Sequence, residues 1–391
     1  MVNNRNYSRQ TAKKLQRQRA VLYTPQTESD WGYSHHATMA EFKGKLYAMW
    51  SSGRTHEDLF GQKVMYACTE NGTDWSEPAV LVDTIMGDHS EAVLQSGGFH
   101  VYDGVLYAYI TYFEYEIESM LPRGYIAAMR GDTFEDWFPM LAENTVHRYD
   151  ILVLSTEDGQ HWSKPRSLDI PGHANHPPFR TASGRLILPG GVMFPYTDDP
   201  TGQSGWVKNG LIPRMEVDDW FLQEELEKLG YHTSLSEASG YVTDDGVIHM
   251  LMRSDYYVSN DCYLYETRSC DNGHTWSAPE RTDFTNDHTK FYASRLPDGR
   301  FYIISSPEVH NGRCPLVISL SDDGENFNRY YVIEDEESRI PLKFPGMNKH
   351  KPIGYCFSYP HAVVWNGKMY VITGANKETI LVSSFDLAQL K

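Results

Sequence analysis

The sequence predicts an all-β chain folded as a six-bladed β-propeller, and two internal repeats carry that prediction. A short turn motif recurs four times, and a hairpin signal ending in glycine recurs six times. Aromatic residues make up 13% of the chain, with 26 Tyr and 9 Trp, which suits strands and the flat stacking faces of sugar sites. At 391 residues the chain is long enough for one large β domain or two smaller ones.

The turn motif reads Cys68-Thr69-Glu70-Asn71-Gly72-Thr73-Asp74-Trp75, then Ser155-Thr156-Glu157-Asp158-Gly159-Gln160-His161-Trp162. It returns as Ser269-Cys270-Asp271-Asn272-Gly273-His274-Thr275-Trp276 and, more weakly, as Leu320-Ser321-Asp322-Asp323-Gly324-Glu325-Asn326-Phe327. An acid followed by Gly suits a tight turn in which the carboxylate accepts local backbone N–H groups. The acids in these positions are Glu70, Glu157, Asp271 and Asp322. The Trp is expected to fold back as an apolar plug between strands.

The hairpin turns are Lys43-Gly44, Asp103-Gly104, Ser183-Gly184, Asp245-Gly246, Asp298-Gly299 and Asn366-Gly367, each between β-rich runs. Six such hairpins with outer strands predict six blades of about four strands each. Two stretches break the pattern. Residues 218–229 carry apolar residues at helical spacing and end at Gly230, which predicts a short inserted helix. Residues 114–147 read as an insertion within blade two. No Pro/Ser-rich linker divides the chain. The domain reading is therefore an N-terminal arm over residues 1–20, helical or frayed, and one propeller over residues 21–391.

Charge and cysteines bound the partners. A net charge of −17 disfavours nucleic acid and anionic membranes, so an anionic substrate needs a local cluster of Arg or His. The basic N-terminus lacks an apolar core and is not a secretory signal, and no run is long enough to span a membrane. Cys68, Cys262, Cys270, Cys314 and Cys356 fit neither a disulfide framework nor a zinc site. Reduced cysteines and a cytoplasmic location are the expectation, with no metal and no cofactor.

Register then locates a site. In a propeller the first strand of each blade starts at the funnel mouth and the second returns to it. Eight residues before the hairpin Gly stand His36, Ser96, His176, Ala238, Phe291 and Tyr359, with Glu237 one step earlier, displaced by a bulge. Seven residues after the Gly stand Ser51, Thr111, Gly191, Arg253, Ser306 and Gly374. Two His, a Tyr, a Glu and an Arg thereby converge, as polar groups do at a concave active site.

With these residues in place the chain resembles the sialidases over nearly its full length. The repeated turn is similar to their Asp-box, which is structural and lies away from the active site. The resemblance implies roles for matching residues: Tyr359 as nucleophile, Glu237 as its base, Asp58 as acid, and Arg253 and Arg313 as two carboxylate-binding arginines. A neutral Tyr is a poor nucleophile and needs such a base. The chain departs from the family at blade one. Where a first arginine would complete the triad it reads Tyr33-Ser34-His35-His36-Ala37. His361 also follows Tyr359 where the family often has Asp. Protonated His35 or His36 could hold the carboxylate instead, or the site could serve another acidic sugar.

Three functions stay open. The first is a retaining glycosidase on a carboxylated terminal sugar, sialic-acid-like or uronic, with Arg54, Arg253, Arg313, His35, His36, His176 and His361 around the substrate. The second is a lyase on uronic-acid glycans, with His and Tyr as base and acid and Arg neutralising the carboxylate. The third is a glycan-binding propeller without catalysis. Plainer roles also exist. Asp58 lies in a charged loop, His89 and His288 suit strand-end hydrogen bonds, and His176 precedes two prolines. Arg253 could pair with Glu237 rather than with substrate.

Overall fold

A computed structural model describes residues 1–27, 30–54, 60–115, 146–170, 172–211, 235–254, 262–344 and 356–391. Blade one comprises Tyr33–Phe42, Lys45–Gly53, Lys63–Thr69 and Ala79–Val82, paired in that order. Blade two comprises Val93–Tyr102, Val105–Tyr115, Val146–Thr156 and Arg166–Ser167. Blade four comprises Leu235–Val242, Ile248–Ser254, Tyr263–Ser269 and Glu280–Thr285. Blade five follows with Tyr292–Arg295, Phe301–Ser305, Leu316–Ser321 and Arg329–Glu334. All these pairings are antiparallel.

Blade three is the thin one. Its sheet holds only Phe179–Arg180, Leu186–Ile187 and Tyr196–Thr197. A fourth segment joins it through paired bonds between Tyr196 and Val207 and isolated bridges at Met193 and Gly210. Blade six is completed from the far end of the chain. Ser358–Trp365, Lys368–Ala375 and Thr379–Asp386 take Gln18–Tyr23 as their outer strand. The N-terminal segment is thus neither helical nor frayed: Lys13–Lys14 also pairs in parallel with blade five. Arg17 and Arg19 both grip the buried Glu334 of blade five, with Arg17 donating from Nε at 2.7 Å and Nη2 at 2.6 Å.

The apolar side chains explain why six sheets form one ring. Each large cluster spans two successive blades. Phe42 and Met49 of blade one meet Leu94 and Leu106 of blade two. Tyr109 meets Leu188 across the next seam, and Phe194 meets Met250 across the third. Leu251 meets Ile303, and Ile318 meets Val371. Ile372 of blade six meets Trp50 of blade one, which closes the circle. Every blade buries both faces, as a propeller requires.

The repeated turns follow the third strand of blades one to five, at the end opposite the mouth. Their acceptor differs from the sequence expectation by one residue in three copies. Asn71, Asp158 and Asp323 accept the backbone N–H groups, as in Thr73 N to Asn71 Oδ1 at 2.9 Å and His161 N to Asp158 Oδ1 at 2.8 Å. Glu70 instead forms an exposed ion pair with Lys45. Only Asp271 takes the expected role, because the third copy carries one more residue between its Ser and its Gly. A fifth copy occupies blade three: Asp199 N donates to Thr197 Oγ1 at 3.0 Å, and Trp206 Nε1 donates to Gly202 O. Trp75, Trp162 and Trp276 pack against the inter-blade clusters. The helix expected over 218–229 lies outside the described residues, as does most of the insertion over 114–147.

Candidate functional site

The first strands carry the same irregularity in four blades. Register shifts fall between His35 and Thr38, Ser96 and Gly98, Ser236 and Ser239, and Ser358 and His361. Each is a β-bulge, two residues opposite one, and bulges re-aim side chains. In three of them the bulged residue is left-handed and not glycine: His36 at φ 52°, Glu237 at φ 49° and Tyr359 at φ 57°. Such a backbone costs on the order of 1–3 kcal/mol at each position. An imidazole, a carboxylate and a phenol are therefore held at equivalent places around the mouth. Their preceding residues pair directly with Ser51, Arg253 and Gly374, the second ring read from sequence.

Around Tyr359 the rings are dense. His35 lies against it with centroids 4.0 Å apart, and His36 stands edge-on at 5.2 Å. His36 Nδ1 is 3.2 Å from both Tyr33 Oη and Ser51 Oγ. The Arg313 guanidinium carbon sits 5.6 Å from the Tyr359 ring centre, and Arg313 Nη1 donates to Ser358 Oγ at 3.2 Å. Asp287 fixes the Arg313 backbone, accepting its N–H at 2.8 Å. Arg253 makes an ion pair with Glu237, Nε to Oε2 at 2.8 Å, and donates to Ser236 Oγ and to the carbonyl of His288. The plain role considered for Arg253, a partner for Glu237, is thus present.

His176 and His361 stand deeper. His176 Nε2 is 2.8 Å from the carbonyl of Phe291, and His361 Nδ1 accepts from Met39 N. Tyr292 packs against both rings, which are themselves 6.3 Å apart. Burial, joined by neighbouring positive charge, pushes His176 and His35 far below the ordinary imidazole value and His361 to about 3. For His35 those neighbours are His36, Lys377, Arg313 and Lys290. Each shift favours the neutral imidazole, which weighs against a protonated His35 as the carboxylate clamp. Arg54 pairs with Glu91 at 2.9 Å and lies over the face of Trp31. Asp58 lies outside the described residues. His288 makes a strand-end bond, with Nδ1 3.1 Å from Ser254 O, and its Nε2 is 3.0 Å from Cys262 Sγ.

Three groups were not read from the sequence. Lys290 is 1% exposed, with Nζ 5.1 Å from the Tyr359 ring centre and bonded to Asn175 O. It stands nine residues before Gly299, the offset that Glu237 has before Gly246, and that offset was the available signal. Lys377, buried at the strand turn of blade six, acts on His35. His173 pairs with Tyr149 Oη at 3.0 Å, and burial lowers it to about 4. No sequence pattern announced either. Among the described residues the assembled surface brings the cations Arg253, Lys290, Arg313 and Lys377 together with the Tyr359 phenol, the Glu237 carboxylate and several imidazoles. It can hold an anion and present a nucleophile or proton donor next to it.

Comparison with known proteins bears on the fold. A family model described as BNR repeat-like domain matches residues 44–371. The fold is similar to a sialidase at TM-score 0.61 and 16% identity, covering 99% of this chain and 34% of that one, so this chain spans about a third of its length. It is similar to the intramolecular trans-sialidase from Ruminococcus gnavus, solved with oseltamivir carboxylate, at TM-score 0.60 and 10% identity, covering 95% and 98%. A crystallised protein of unknown function from Dyadobacter fermentans matches at TM-score 0.62 and 13% identity, covering 94% and 97%. None of the curated protein sequences matches the chain. With a match over most of its length and a shared six-bladed ring, the chain belongs to the BNR repeat-like family and carries the sialidase-like fold.

Proposed function

We propose that this protein is a glycoside hydrolase acting on a carboxylated terminal sugar, with Tyr359 as nucleophile. The observation that carries the reading is Tyr359 itself: a phenol on a left-handed bulge with cations at 5.1 and 5.6 Å from its ring. A carboxylate nucleophile would repel an anionic sugar, whereas a neutral phenol does not. In the proposed reaction Tyr359 Oη attacks the anomeric carbon while Glu237 takes the phenolic proton. The glycosidic bond breaks, and Asp58 gives its proton to the leaving oxygen. Water then releases the sugar from the tyrosyl ether, with the proton movements reversed, so the anomeric configuration is retained.

The test is a panel of chromogenic glycosides of N-acetylneuraminate, glucuronate and galacturonate beside neutral hexosides. Turnover of an acidic glycoside, lost by a factor of about 10³ or more in Tyr359→Phe, supports the reading. Turnover confined to neutral sugars, or undiminished in Tyr359→Phe, overturns it.

A second reading is elimination on a uronic-acid glycan. It is favoured by the contact of neutral His35, and of His36, with Tyr359, since a neutral imidazole can take a proton beside a phenol that gives one. It predicts an unsaturated product absorbing in the ultraviolet and loss of activity in His36→Ala. Saturated products alone exclude it.

A further inference from the structure

We propose that Lys290 is the cation that reads the carboxylate of the substrate, in place of the arginine absent from blade one. The inference rests on the proposed action on an acidic sugar and names the residue that makes the site selective for one. Lys290 is wholly buried, yet no described carboxylate lies within ion-pair distance of its ammonium. Of its three N–H donors, one reaches the carbonyl of Asn175. A buried ammonium with no ionic partner is costly, and a bound anion removes that cost.

Among the described residues, the carboxylates near Lys290 are already engaged. Glu237 is the one carboxylate that acts on Lys290, and Arg253 already holds it at 2.8 Å. Both oxygens of Asp287 accept backbone N–H groups, from His310 and Arg313. The remaining neighbours are positive or neutral: Arg253 and Arg313, the Tyr359 ring, and the imidazoles of His35, His173, His176 and His361. A chain of net charge −17 has thus gathered cations at one buried place. Lysine presents a compact charge rather than a flat fork. Lys290 therefore selects for an anion on the sugar with less demand on its plane than an arginine clamp makes.

Burial, partly offset by Glu237, lowers Lys290 to about 8. Its charge is present below that pH and lost above it, so anion binding weakens as pH rises through 8.

The experiment is calorimetric binding of free N-acetylneuraminate and glucuronate, with glucose as the neutral control, to wild type, Lys290→Met and Lys290→Arg. Thermal unfolding of each variant is recorded to confirm folding. Wild type is expected to bind an acid and to lose affinity between pH 7 and 9. Lys290→Met should lose roughly 30-fold, as when one member of a buried charge pair is truncated, and should lose the pH dependence. Lys290→Arg should keep much of the affinity and hold it to higher pH. Equal affinity for the acid in folded Lys290→Met and wild type overturns the inference while leaving the glycosidase reading intact. Wild type that binds neither acid and turns over neutral glycosides alone overturns both.

Discussion

Replacing Glu334 by Gln should loosen the closure of the ring, and the size of the effect follows from its contacts. Glu334 is fully buried and accepts Arg17 through both oxygens, Arg19 through Nε at 3.1 Å, and Ser383 Oγ. These bonds join the N-terminal strand to blades five and six, on either side of the last seam. Removing one partner of a buried pair costs about 3–5 kcal/mol. The two guanidiniums are 19% and 27% exposed, so water recovers part of that, and about 2–4 kcal/mol is expected. For 391 residues the unfolding entropy is about 0.8 kcal/mol per kelvin, which converts the loss to about 2–5 °C in Tm. Differential scanning calorimetry at pH 7 reads it. Burial alone would raise the Glu334 carboxyl, but Arg17, Arg19 and Ser383 outweigh burial and lower it. Its contribution is therefore present above the unfolded value of 4.5 and fades as pH falls through the lower folded value. The Tm gap should close in acid. A variant within about 1 °C of wild type at pH 7 would refute the clamp.

Two further substitutions probe the seam and the site. Gly72→Ala places a Cβ 2.4 Å from Tyr370 Oη at a φ of +78°, so it should cost about 2 kcal/mol or more, read as a lower denaturation midpoint with activity per folded molecule unchanged. Gly374→Ala places a Cβ 3.0 Å from His35 Nδ1 and should push that ring against Tyr359. Its kcat is expected to fall roughly tenfold with little change in Tm, and an unchanged kcat would show that the His35 contact does not position the phenol.

Much of this molecule is legible in its sequence because it repeats. The hairpin glycines set the blades and the register. That register placed His36, Tyr359 and, through a bulge, Glu237 at equivalent positions, where the structure has them. The failures share physical causes. The turn acceptor was misplaced by one residue, because Glu70 and Asn71 are both plausible acceptors and only backbone geometry separates them. The fifth turn escaped because extra residues between Thr197 and Trp206 break its spacing. The N-terminal strand was missed because its partner lies more than 350 residues away, and nothing local in Gln18–Tyr23 names Thr379–Asp386. Lys290 was passed over because a lysine ahead of an apolar strand looks like an ordinary exposed one. Its burial comes from neighbours on other blades, Asn175 and Tyr359 among them.

The bulges have an implication for how such a scaffold diversifies. Where the main chain bends outward at His36, Glu237 and Tyr359, the bend belongs to the strand pairing and not to the side chain that sits on it. One kink thus presents a base, an acid or a phenol with no change to the hydrogen-bonded ladder beneath. Exchanging residues at these positions rewrites the reagents facing the substrate while the six-part wheel behind them stays the same.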